Sequence, residues 1–67
     1  MKTHFLAVGM NAWGKGSSVD EAKKNCRAAG APAKAVYKVV NGDSYVDSVD
    51  GQVSIDDGAT AEKVWVK

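Results

Sequence analysis

Ser18-Val19-Asp20-Glu21-Ala22-Lys23-Lys24-Asn25-Cys26-Arg27-Ala28-Ala29-Gly30-Ala31-Pro32 decides the fold, because both ends of one helix are written in it. Ser18 followed by Glu21 is a capping box: the serine hydroxyl accepts from the Glu21 amide, and the carboxylate turns back toward Ser18. Asp20 and Glu21 suit the positive end of the helix dipole, and the later cations suit the negative end. Gly30 stands where helices finish, and Pro32 blocks continuation. The pattern predicts a helix over 19–29. Val19, Ala22, Cys26 and Ala29 fall at i, i+3, i+7 and i+10, a narrow apolar stripe, with Lys23, Lys24 and Arg27 off it. Every stripe residue is small. Such a helix sits close to its neighbours, and a sheet must supply the bulk.

The flanks supply that sheet. Thr3 to Met10, with Phe5, Leu6 and Val8, fits a short strand buried on both faces. Asn11 to Ser17, with glycines at 14 and 16, reads as a loop. Beyond the helix, Ala35 to Val40 is rich in β-branched and aromatic residues. Asn41-Gly42 is a strong hairpin signal, and Ser44 to Val49 reads as its return strand. Tyr37 and Tyr45 would then face each other across that hairpin. Asp50-Gly51 marks a second hairpin, leading to a strand at Gln52 to Ile55. Asp56-Asp57-Gly58 is a further turn. Glu62 to Lys67 alternates as a final strand, with room at Ala59 to Glu62 for one helical turn before it.

These elements predict one compact domain over residues 1–67, an α+β two-layer sandwich. One helix (about 19–29) packs on a four- to five-stranded, mainly antiparallel sheet in the order β-α-β-β-β(-β). Were the strands flanking the helix parallel, their connection would be right-handed.

Length sharpens the expectation. A chain of 67 residues and 7.0 kDa buries only about 60% of its unfolded surface, so its core is marginal. One cysteine cannot close an intrachain disulfide. With a single histidine beside it, no four-ligand zinc site follows. No cofactor is expected. The longest apolar run is six residues, Phe5 to Met10, far short of a membrane span, so no membrane partner is expected. A lone cysteine without an export signal points to the cytoplasm.

The net charge of +1 hides an asymmetry. Residues 1–34 carry +4 and residues 35–67 carry −3. Such a dipole steers encounters with charged partners but names none.

Gly9-x-x-x-x-Gly14-Lys15 imitates a phosphate-binding loop, yet Gly16 stands where the magnesium-binding Ser or Thr belongs. A weaker version, an anion held by Lys15 at the helix N-terminus, stays open. Nucleophilic catalysis needs a base beside Ser or Cys, and His4 is the only histidine. Cys26 lies on the apolar stripe, where a thiol packs as a hydrophobe. His4 is expected to be satisfied by a strand neighbour. The aspartates between Asn41 and Gly58 miss the calcium-loop spacing and suit turns. The residues describe a protein that is not an enzyme.

Trp13, flanked by glycine and beside Lys15, suits either a lid on the core or a binding hot spot. The reading that follows is a small stand-alone protein-binding module, an inhibitor of the phage or mobile-element type that docks a larger protein. The alternative is a nucleic-acid-binding module that uses the basic helix face with the Trp13/Lys15 loop. The acidic C-terminal half weighs against it. Candidate partner-binding residues are Trp13, Lys15, Lys23, Lys24, Arg27, Asp43, Asp47 and Asp50. An edge strand could also pair two copies into a homodimer.

Overall fold

A computed structural model describes residues 3–47 and 52–67. Its elements are β1 (Thr3–Gly9), β2 (Ala12–Gly16), α1 (Val19–Ala29), β3 (Ala33–Val40), β4 (Ser44–Val46), β5 (Val53–Ile55) and β6 (Thr60–Val66). The fold is α+β: α1 lies on a four-stranded antiparallel sheet ordered β2-β1-β3-β6, and β4 and β5 form a separate two-stranded ribbon.

The helix forms where its caps place it. Ser18 Oγ accepts the Glu21 amide at 3.1 Å. The Glu21 carboxylate turns back one residue further than an ideal box, accepting the Ser17 amide at 3.2 Å and the Ser17 hydroxyl at 3.4 Å. Gly30, at φ 143°, closes the other end with its amide on the Arg27 carbonyl. Ala22 and Cys26 are fully buried, while Val19 is half-buried and Ala29 exposed. The working stripe is therefore shorter than the sequence pattern.

The expected loop at 11–17 is mostly strand, which changes the order to β-β-α-β-β-β-β. Gly14 and Gly16 are not turn residues. Their missing side chains leave space for the helix backbone, since a Cβ at Gly16 would come within 2.7 Å of the Ala22 amide nitrogen. Glycine inside a strand commonly marks such a close approach. The turn is shorter and earlier, at Met10-Asn11, where Asn11 takes a left-handed φ of 56°. Because β2 intervenes, β3 returns antiparallel to β1, and no parallel crossover forms.

Ala7, Ala12, Ala22, Cys26, Ala33 and Val36 make the core under the helix, with Phe5, Val19, Ala31 and Trp65 packed around it. Leu6 and Val39 are fully buried on the opposite side of the sheet. Ser44 of β4 is buried there too, bonded to His4 through its hydroxyl at 2.7 Å.

Asn41, at φ 70°, turns the chain out of β3. The strand that follows pairs elsewhere, however: β4 joins β5, with Tyr45 opposite Ser54, and the free side of β3 is taken by β6. Tyr37 and Tyr45 are therefore not cross-strand partners. Asp56 to Ala59 forms the expected turn, closed by the Ala59 amide on the Asp56 carbonyl, with Gly58 at φ 84°. The last strand starts at Thr60, so no helical turn precedes it. The Asp50-Gly51 turn and the end of the expected return strand lie outside the described residues.

Candidate binding face

Strand pairing lays the side chains of the sheet face opposite α1 out in rows. Trp13 of β2 stands opposite Val8 of β1, Val8 opposite Ala35 of β3, and Ala35 opposite Val66 of β6. One apolar row thus crosses all four strands. Its two ends are open: Trp13 is 45% exposed and Val66 is 61% exposed. The next row runs Lys15, Leu6, Tyr37, Lys63. It alternates cation with apolar or aromatic side chain, and the Lys63 ammonium lies 5.7 Å from the Tyr37 ring centre.

The β4–β5 ribbon is fastened to this same face by polar contacts. Lys15 Nζ donates to Asp43 Oδ1 at 2.9 Å and lies near the rings of Trp13 (5.7 Å) and Tyr45 (6.0 Å). Asp56 binds the ribbon together, accepting the Asp43 amide on Oδ2 and the Tyr45 hydroxyl on Oδ1, both at 3.0 Å. The Lys15 hydrogen bond, helped by the Ser44 amide, holds the Asp43 carboxyl below its ordinary range. Donation to Asp56 raises the Tyr45 hydroxyl above its own. A cleft of about 480 Å³ opens beside this clasp, lined by Thr3, His4, Gly42, Asp43, Tyr45 and Asp56.

Of the residues singled out by sequence, Trp13, Lys15 and Asp43 come together here. Asp47 follows β4, its amide on the Gln52 carbonyl. Lys23, Lys24 and Arg27 belong to α1, on the other side of the sheet. Lys23 is committed locally, its ammonium 4.0 Å from the Trp65 ring centre. Asp50 lies outside the described residues. The combined surface of basic helix and Trp13/Lys15 loop is therefore split by the sheet. Nor does Lys15 serve the helix N-terminus: its ammonium is on Asp43, and Glu21 occupies the Ser17 amide. Gly9 and Gly14, the ends of the phosphate-loop imitation, are strand residues.

Val8, Tyr37, Tyr45 and Val66 are the face residues that reading by motif passed over. A signal for half of the face was present. Ala12, Gly14 and Gly16 alternate with Trp13 and Lys15, small residues toward the helix and large ones away from it, which is strand periodicity.

Cys26, by contrast, is sealed. Its Sγ donates to the Ala31 carbonyl at 3.4 Å, and burial pushes its thiol pKa up. Among the described residues no helix is long and apolar enough to cross a membrane. No family model, curated protein or solved structure matches the chain.

Proposed function

We propose that this chain is a small protein-docking module that does no chemistry and engages a larger protein through the sheet face opposite α1. The observation that carries the reading is the row Trp13–Val8–Ala35–Val66, an apolar strip held on paired strands with its ends open to solvent. Tryptophan on a rigid frame contributes large contact area at small entropic cost, and such residues dominate interface energies. Blocking a partner's working surface is the action suited to so small a binder, and the module acts as an inhibitor.

The nucleic-acid alternative is less well supported. Its cations are divided between two faces, and Lys15 is already neutralised by Asp43. Phosphate binding needs several cations acting along one surface.

Photo-crosslinking from two positions tests the reading. A photoreactive side chain replacing Val66 should trap a protein from host extract in a saturable adduct, competed by excess unlabelled chain and lost with Trp13→Ala. The same group at Lys24, on the exposed side of α1, should trap none. Equal yields from both positions would refute docking through the sheet face.

A further inference from the structure

We infer that the surface docking onto this face offers an apolar notch bordered by basic side chains. The inference rests on the docking reading above and specifies the partner's chemistry. Between Val39 and Ala61 the sequence carries five aspartates and no lysine or arginine. The described part of that segment at β4, β5 and Asp56 is not remote from the apolar row. It includes the ribbon tied to the face through Ser44 on His4 and Asp43 on Lys15. Lys15 is the cation nearest Trp13 and Tyr45, and its charge is taken up by Asp43. Tyr45, 54% exposed, stands beside Trp13's end of the row with its hydroxyl on Asp56. Two exposed aromatic side chains are therefore flanked by two carboxylates, Asp43 and Asp56, against the one ammonium of Lys15. Lys63, beside Tyr37, sits toward the opposite edge.

A partner must bury the rings and match the rim. Apolar contact alone would leave the aspartates facing solvent or like charge, and like charges opposed across an interface are strongly disfavoured. Lysine or arginine around an apolar notch satisfies both demands, and arginine also stacks on exposed aromatic rings. A polyanion meets the rim with the wrong sign.

The probe is a random library of 12-residue peptides, selected on the wild-type protein alone. The expected winners carry an aromatic or large aliphatic residue flanked by lysine or arginine. Affinity for a synthesised winner should fall about tenfold or more with Trp13→Ala. It should fall severalfold with added salt, as rim charges do. Val66→Ser, at the far end of the row, provides a second variant whose loss of binding reports the same face. Circular dichroism of each variant confirms that it folds.

Acidic or uncharged winners that still depend on Trp13 would overturn this inference and leave the docking reading standing. Winners indifferent to both Trp13→Ala and Val66→Ser would overturn both. Two further results would replace the basic partner. One is concentration-dependent dimerisation in sedimentation, abolished by Trp13→Ala, which assigns the face to a second copy. The other is tight, salt-resistant binding of a random single-stranded oligonucleotide pool, which assigns it to nucleic acid.

Discussion

Gly14 has no room for a side chain, because the backbone nitrogen of Cys26 stands where its Cβ would be. Two backbones meet at that point. The obstacle cannot swing aside as a flexible side chain would, so β2 and α1 would have to separate. Gly14→Ala is expected to destabilise the fold by about 1–3 kcal/mol, the usual cost of overpacking. That corresponds to a drop in Tm of roughly 4–8 °C for each kcal/mol in a domain of this size. Thermal unfolding followed by circular dichroism measures it, and an unchanged Tm would mean that the helix does not lie against β2.

The helix cap offers a milder test. Ser18→Ala removes the acceptor of the Glu21 amide and should cost about 1 kcal/mol. Ser18→Gly should cost only a few tenths, because glycine keeps the backbone geometry of an N-cap and leaves its amides to water. Chemical denaturation of the two variants side by side separates the hydrogen bond from the geometry. Equal losses would place the start of the helix elsewhere.

These two tests also mark what was legible in the sequence. The helix was, because its caps are local: Ser18, Glu21 and Gly30 act within a few residues of themselves. The strand β2 was not. Glycines at 14 and 16 signal a turn unless one knows that a helix returns to lie on them, and that is tertiary information. The pairing of β4 escaped for a similar reason. Asn41-Gly42 turns the chain as expected, but the return strand is claimed by β5 and by the His4–Ser44 contact instead of by β3. The face that we propose as the binding surface depends on register across four strands. Register is fixed by pairing and not by motif.

Lys23 and Trp65 link the helix to the edge strand. The ammonium lies 4.0 Å from the indole centre, and Trp65 packs against the core under α1. Lys23→Met keeps the aliphatic stem and removes the charge. It should cost about 0.5–1 kcal/mol, the range for a partly exposed cation–π contact. Trp65 fluorescence in a Trp13→Phe background should shift with the same substitution, while Lys24→Met, one residue along the helix, should leave both readouts unmoved.

Cys26 should be inert in the native state and reactive once unfolded. It is fully buried, and burial raises its pKa above the model-compound value of 9.0. A thiol whose folded pKa is raised contributes stability that is whole below the unfolded value and is lost as pH rises through the folded one. Stability should therefore decline on the alkaline side of pH 9 and be indifferent to this group at neutrality. Labelling with a thiol reagent at pH 8 should be slow in buffer and fast in denaturant. Cys26→Asp should unfold most of the population by burying an unpaired charge, and Cys26→Ala should restore folding and abolish labelling. Rapid native labelling would contradict the packing of α1 on the sheet.

The clasp that holds the ribbon to the sheet face opposite α1 titrates at both ends of the pH scale, and its two signs are opposite. Asp43 is held below its ordinary 3.8, first by the Lys15 hydrogen bond and then by the Ser44 amide. A carboxyl with a lowered folded pKa contributes stability that is present above the unfolded value and lost as pH falls through the folded one. Tyr45 is raised above 10.0 by donating to Asp56, so its contribution is present below that value and lost as pH climbs through the folded one. Between these limits the clasp should be closed. Nuclear magnetic resonance titration of the Asp43 carboxyl carbon should show it ionising below 3.8 in the wild type. In Lys15→Met the midpoint should move back up, because the largest cause of the shift has gone. In Asp56→Asn the Tyr45 midpoint should come down toward 10.0. Both variants should also loosen the ribbon, seen as faster exchange of the Asp43 amide, which donates to Asp56. An Asp43 midpoint that ignores Lys15→Met would mean that the salt bridge does not form in solution, and the negative rim would then lie beside a free lysine instead of a neutralised one.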